Sequence, residues 1–225
     1  MYVELVDALR CPVPHEDSWL VAAAERTELR HIVKGTLGCP VCKAQYPIHE
    51  GVADFRRAQP SRADDRPGAS EQNAASEGQS PTASDEPLRL AAFLGLDDGQ
   101  GVVLMLGEWT AHARGLRELV DVNVLVADPP QLMPGEPGVS VLRCDGVLPL
   151  AAGMARGTVL DASPDVARVA SVVRATRVGG RVVGPVSITV PSGVRELARD
   201  DRVWVAERER DLPIITLTSR TRGAS

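Results

Sequence analysis

The apolar runs VVLML at residues 102–106 and VNVLVA at residues 122–127 decide the fold of this 225-residue chain. Each run is short and almost entirely apolar, which is typical of strands buried on both faces of a parallel sheet. Residues 112–119, between the two runs, have helical character. Further strands are predicted at residues 139–143 and 158–160. Because strands alternate with helices, the sequence predicts an α/β domain built on a parallel sheet.

The segments that flank these runs extend the predicted sheet. The predicted elements are helices at residues 88–96 and 165–176, a strand at 181–186, a short helix at 195–199, and strands at 202–207 and 214–218. The last two strands have no helix between them, so we expect an antiparallel hairpin at the edge of the sheet. The expected architecture is a Rossmann-like sheet with helices on both faces.

A second pattern lies near the N-terminus, where three of the four cysteines occur. The strings are Cys11-Pro-Val-Pro-His15 and Cys39-Pro-Val-Cys42. Tetrahedral zinc takes four nitrogen or sulfur ligands. Cys11, Cys39 and Cys42 supply three of them, and His15 is the natural fourth, so the spacing predicts a structural zinc site. The alternative is that the cysteines are simply buried or free.

The residues around these cysteines resemble the zinc-ribbon activator family of transfer-RNA and translation-factor methyltransferases. The resemblance covers about residues 1–57 and rests on three strings: Leu9-Arg-Cys-Pro, Gly35-Thr-Leu-Gly-Cys-Pro-Val-Cys and Tyr46-Pro-Ile-His-Glu-Gly-Val. In that family the ribbon is non-catalytic and stabilises a methyltransferase. The resemblance implies a protein partner, either a methyltransferase-like protein or this chain itself. Ile48, Val52 and Phe55 offer the apolar surface for that contact.

Composition divides the chain into three parts. Residues 59–87 contain no Val, Ile, Leu, Met, Phe, Tyr or Trp. Such a segment cannot bury enough apolar surface to offset the entropy lost on ordering, so a flexible linker is predicted. The predicted domains are a zinc ribbon at residues 1–58, the linker at 59–87 and an α/β domain at 88–225.

Charge and hydropathy exclude several classes of function. The formal net charge is −5 and the pI is about 5.4. Direct binding to nucleic acid is therefore not expected, since phosphate neutralisation needs a basic surface. No apolar run approaches the length of a membrane helix, and no signal peptide is apparent. We expect a cytoplasmic protein, in which clustered cysteines favour a metal over disulfides.

The α/β part, at about residues 86–220, resembles the class I S-adenosylmethionine-dependent methyltransferase fold. The strings that carry this resemblance are Ala127-Asp-Pro-Pro-Gln-Leu-Met, Cys144-Asp-Gly-Val-Leu-Pro-Leu and Arg177-Val-Gly-Gly-Arg-Val-Val. The resemblance implies that Asp128 binds the cofactor ribose and that Asp145 approaches the adenine amine. The ordinary alternatives are a helix N-cap at Asp128 and a turn residue at Asp145.

The first glycine-rich loop departs from that family. Met105 stands where an acidic residue is expected, Gly107 is the one glycine that remains, and Trp109 replaces the second. The bulk of Trp109 is expected to fill space that the cofactor needs, so S-adenosylmethionine binding is doubtful. The function this predicts is a non-catalytic zinc-ribbon and pseudo-methyltransferase protein that acts as a partner or regulatory subunit through protein contacts. Two alternatives remain: an active methyltransferase with an atypical cofactor loop, and a nucleic-acid-binding ribbon protein.

Overall fold

One large sheet organises the part of the chain that the computed structural model describes, which is residues 1–56, 85–144, 146–162 and 165–210. Its strands are β1 (Val21–Glu28), β2 (His31–Gly38), β3 (Gln45–His49), β4 (Val52–Asp54), β5 (Val102–Leu106), β6 (Asn123–Ala127), β7 (Val139–Arg143), β8 (Ala155–Val159), β9 (Thr176–Pro185), β10 (Val194–Arg199) and β11 (Val203–Arg208). The helices are α1 (Glu86–Leu94), α2 (Ala113–Val120) and α3 (Val166–Ala175), with 3₁₀ turns at Val3–Ala8 and Gly107–His112.

The strand order is β1-β2-β3-β4-β7-β6-β5-β8-β9-β11-β10. The six strands from β4 to β9 in this order are parallel to one another. From β5 the chain moves outward through β6 to β7, and it then returns to place β8 on the other side of β5. In open α/β sheets, ligands bind outside the carboxyl ends of the strands at such a reversal. The fold therefore directs attention to the loops that follow β5, β6 and β8.

Alternating side chains of the central strands form two apolar clusters. Leu104 and Leu106 of β5 belong to the first cluster, which includes α3 through Val172 and Ala175. Val103 and Met105 belong to the second, together with buried residues of α1 and α2. These central strands are apolar throughout because the side chains on both faces of the sheet are buried. This confirms the mixed α/β sheet with a parallel core that the two apolar runs predict.

The N-terminal segment continues the same sheet. β1, β2, β3 and β4 pair antiparallel in succession, and β4 pairs parallel with β7 through Ala53 and Leu142. The Phe55 N–H then donates to the Arg143 carbonyl at 2.7 Å. The predicted domain boundaries stay a prediction, and most of the expected linker lies outside the described residues. Within the described parts, the segment that carries the cysteines is hydrogen-bonded directly to the α/β sheet.

One secondary-structure prediction is wrong. Residues 195–199 form part of strand β10 instead of a short helix, and β10 pairs antiparallel with β11. The spacing that favours a helix there is overridden by pairing with a neighbouring strand, which is a common outcome for short segments at a sheet edge. The strand expected at residues 214–218 lies outside the described residues. None of the described helices combines the length and apolar character needed to span a bilayer.

Candidate metal centre and cofactor crevice

Cys11, His15, Cys39 and Cys42 converge on one point. Their ligand atoms all lie within 4.8 Å of one another. The Cys11 and Cys42 Sγ atoms are 3.6 Å apart, and Cys39 Sγ lies 3.5 Å from His15 Nε2. In a tetrahedral zinc site with ordinary bond lengths these separations would be about 3.8 Å and about 3.5 Å. These two separations therefore already match those of a tetrahedral zinc site.

Two tight turns produce this convergence. After β2 the chain folds back so that the Lys43 N–H donates to the Cys39 carbonyl at 3.1 Å, and Lys43 adopts a left-handed backbone with φ of 63°. The Cys39 N–H donates to the Ala44 carbonyl at 2.9 Å. On the other side, the Cys11 N–H donates to the Ser18 carbonyl at 2.9 Å. This second loop carries His15 back toward the thiols.

The surroundings prepare the donors for a cation. Burial acts to raise the pKa of Cys39, but hydrogen bonds from the backbone N–H groups of Cys42 and Val41, together with those from the Cys42 and Cys11 side chains, bring the pKa down to about 6. Cys39 can therefore be a thiolate at neutral pH, which is the form that binds metal. His15 Nδ1 lies 2.6 Å from the Glu16 carbonyl oxygen. Donation from Nδ1 to that oxygen leaves the Nε2 lone pair directed at the thiols.

A second candidate site lies at the carboxyl ends of β5, β6 and β8. Gly107 follows β5 and has φ of +61°, and a Cβ added there would lie 2.5 Å from the Cβ of Asp161, which follows β8. A side chain would therefore force the two loops apart. This close approach, as well as the left-handed backbone, requires glycine at position 107.

Asp128 follows β6, and both of its carboxylate oxygens have protein partners. Its backbone is left-handed, with φ of 48°. Oδ1 accepts from the Cys144 N–H at 2.7 Å, and Oδ2 accepts from Arg168 Nη1 at 2.8 Å. The structure thus places Asp128 at the carboxyl ends of the central strands, called the crevice below, where it also fixes the exit of β7. Asp145, the other predicted cofactor residue, lies outside the described residues.

Arg168 is a residue of this crevice that sequence reasoning missed. It is 8 % exposed and lies in the first turn of α3, where the Asp165 side chain caps the helix by accepting from the N–H groups of Ala167 and Arg168. Besides Asp128, its Nη1 contacts the Gly146 carbonyl at 3.2 Å, and its Nε lies 3.8 Å from Asp161 Oδ2. One guanidinium thus connects the loops that follow β6, β7 and β8.

The sequence does carry a signal for Arg168. Arg168, Ser171, Val172 and Ala175 are all buried, at the spacing of one helix face. An arginine on the buried face of an amphipathic helix needs acceptors beneath it, since an unpaired buried charge is costly. Within the described residues its Nε is buried without a hydrogen-bond partner. Asp161 Oδ2 lies 3.8 Å from this Nε, which is within ion-pair range but beyond hydrogen-bond distance.

The expectation that Trp109 fills cofactor space is not supported by its contacts. Trp109 packs against the second apolar cluster, and its ring centroid lies 6.5 Å from that of His112. Met105 is fully buried in the same cluster. Both departures from the glycine-loop pattern therefore contribute to the core between the sheet and the helices α1 and α2.

Of the comparisons with known proteins, the one with solved structures finds similar chains. The comparisons with protein families and with curated proteins find no match. One similar structure is the antibiotic-resistance methyltransferase Kmr, with a TM-score of 0.40 and 15 % identity over 55 % of this chain and 93 % of that one. Another is the MccD protein, with a TM-score of 0.35 and 11 % identity over 46 % of this chain and 54 % of that one.

These comparisons correct one expectation. The interpretation as a non-catalytic partner or regulatory subunit is contradicted, because a solved structure to which the chain is similar belongs to a methyltransferase. The alternative that the sequence predicts is an active methyltransferase with an atypical cofactor loop.

Proposed function

We propose that this chain is an S-adenosylmethionine-dependent methyltransferase whose N-terminal segment holds a structural zinc ion. The observation that carries the proposal is the reversal of strand order between β5 and β8, with acidic side chains at the carboxyl ends of the adjoining strands. That edge is where open α/β sheets bind their ligands.

The chemistry of the crevice suits this cofactor. Glu108, Asp128 and Asp161 follow β5, β6 and β8, and they present carboxylates at one edge. Carboxylates accept hydrogen bonds from ammonium groups and hydroxyls, and they favour nearby cations. S-adenosylmethionine offers an ammonium, a ribose diol and a sulfonium, and when bound it supplies an activated methyl group. Gly107 lets the loops after β5 and β8 approach each other closely, which brings Asp161 beside the end of β5.

Arg168 has a defined part in this proposal. Its guanidinium forms ion pairs with both Asp128 and Asp161 and so offsets part of their negative charge. Because it donates to Asp128 Oδ2, a cofactor hydroxyl that bonds to this oxygen must share it with Arg168 or displace it. The cost of that exchange lowers the affinity for the cofactor.

The zinc proposal follows from the donor set. Three thiolates and one imidazole fill all four positions of a tetrahedral ion, which is typical of structural sites, whereas catalytic sites keep one position open. The resemblance to zinc-ribbon activators supports the same role. The pairing of β4 with β7 supports docking of the ribbon on the α/β unit of its own chain. A separate protein partner stays a prediction.

Titration with S-adenosylmethionine tests the proposed activity. We expect a dissociation constant tighter than about 0.1 mM, equivalent to roughly 5.5 kcal/mol. Asp161→Asn removes one carboxylate from the crevice and is expected to weaken binding by about tenfold, or about 1.4 kcal/mol. Isothermal calorimetry on the full chain measures both. Asp201→Asn, a substitution at an exposed aspartate between β10 and β11, should leave the constant unchanged.

Absence of heat at millimolar cofactor would contradict the methyltransferase proposal. Equal losses in Asp161→Asn and Asp201→Asn would show that the carboxylate acts only through overall charge. Either result leaves the zinc proposal untouched, because the cysteine cluster lies on different elements.

Arg168→Gln tests the exchange at Asp128. We expect this variant to bind S-adenosylmethionine about tenfold more tightly, because the competing guanidinium is removed while a polar group remains. The melting temperature should fall, since two carboxylates lose their shared counter-ion. Arg177→Gln, at an exposed position beyond α3, is the matched control. Weaker binding by Arg168→Gln would show instead that Arg168 holds the crevice in its binding geometry.

A further inference from the structure

The connection between β9 and β10 is unusually short. β11 lies between these two strands and is antiparallel to both, so β9 and β10 run parallel. Parallel strands are usually joined by a dozen or more residues that include a helix. Here residues 186–193 make the crossing alone. This connection contains no helix, and a cavity of about 730 Å³ lies between α3 and the connection.

The cavity has apolar walls that the fold holds in place. Val169 and Val173 of α3 form one wall, and Ile188 and Val190 of the connection form the other. The Trp204 indole Nε1 donates to the Ile188 carbonyl at 3.0 Å, and the Ile188 N–H donates to the Pro185 carbonyl at 3.1 Å. Trp204 itself is fully buried. The connection is therefore anchored over the cavity at its centre.

The charged residues that line the cavity are cationic. Arg174 and Arg208 both line it, and its described lining includes no carboxylate side chain. Arg208 is held in place, because its Nη1 donates to the Arg174 carbonyl at 2.6 Å and to the Thr176 carbonyl. Thr189 and Ser192 also line the cavity, and their hydroxyl groups add hydrogen-bond donors. A ligand that satisfies this lining has an apolar body and one anionic group.

We propose that this cavity binds a small amphipathic carboxylate, with its apolar body between α3 and the connection and its carboxylate at Arg174. The volume lies in the range of small-molecule sites, and guanidinium groups bind carboxylates with strong, directed hydrogen bonds. The cavity is lined by residues other than Gly107, Asp128 and Asp161. The proposal therefore stands independently of the proposed methyltransferase activity.

Calorimetric titration of the full-length protein with decanoate tests the proposal. We expect one site per chain. Ala170→Trp fills the cavity from an exposed position of α3 and should weaken binding at least tenfold. Ala167→Trp adds the same side chain on α3 outside the cavity and should leave binding unchanged. Arg174→Glu should weaken binding at least tenfold, whereas Arg177→Glu, a matched reversal outside the cavity, should not.

A cationic amphiphile with the same alkyl chain length as decanoate distinguishes recognition of the carboxylate from nonspecific apolar binding. We expect decyltrimethylammonium to bind at least tenfold more weakly than decanoate. Absence of decanoate binding, equal binding of the two amphiphiles, or full binding by Ala170→Trp would each overturn the proposal. If the protein binds decanoate but fails to bind S-adenosylmethionine, the result would support the carboxylate site and contradict the methyltransferase proposal.

Discussion

Cys39→Ala is expected to abolish zinc binding and to unfold the N-terminal segment. Cys39 is 2 % exposed, and its sulfur is the donor that the backbone N–H groups of Val41 and Cys42 prepare as a thiolate. Without the Cys39 sulfur, three of the four donors that a structural zinc ion requires remain. Metal binding to a small structural site stabilises the fold by on the order of 10 kcal/mol. We therefore expect about one zinc per chain in the parent protein and almost none in Cys39→Ala.

Elemental analysis of untagged protein measures the zinc content, and circular dichroism with and without a chelator measures the folding. Cys144→Ala is the matched control, because Cys144 is buried at the end of β7 and belongs to no described metal cluster. His15→Ala should weaken zinc retention less than Cys39→Ala, since water can replace a peripheral imidazole. A metal-free protein with an unchanged N-terminal fold would contradict the structural role of zinc.

The central sheet and the cysteine cluster could be predicted because each depends on short, local patterns. The runs at residues 102–106 and 122–127 became β5 and β6, since strands buried on both faces must be apolar at every position. The Cys39-Pro-Val-Cys42 string predicted a common ligand point because a knuckle of four residues fixes the distance between its two thiols. The predicted residues Cys11, His15, Cys39 and Cys42 do meet.

The remaining features depend on which elements pack or pair beside one another in the folded chain. Residues 195–199 form a strand because β11 lies beside them, and nothing within those residues specifies that neighbour. The role of Arg168 emerges only when α3 is placed over the ends of β6 and β8. Trp109 suggested a blocked cofactor loop because its direction could not be read from the sequence, and the structure directs it toward the core.

Phe55→Asp is expected to release the N-terminal segment from the sheet. Phe55 is 5 % exposed, and its ring centroid lies 4.8 Å from that of Tyr46. Its N–H extends the pairing of β4 with β7 by donating to the Arg143 carbonyl. Loss of a buried phenylalanine costs about 3–5 kcal/mol, and a carboxylate at the same place adds the cost of a buried charge. The contact between the two units depends on this apolar surface, so the substitution should break it.

Hydrogen exchange and zinc analysis together decide between two forms of that release. If zinc alone holds the N-terminal segment together, Phe55→Asp keeps its metal while the amides of β7 exchange faster and the melting temperature falls. If the segment needs the sheet to fold, zinc is lost as well. Leu29→Asp, at a position that is 83 % exposed in the same segment, is the matched control and should change neither measurement. Unchanged β7 exchange in Phe55→Asp would contradict docking through β4, because that strand covers β7 by direct pairing of Val52, Ala53 and Asp54.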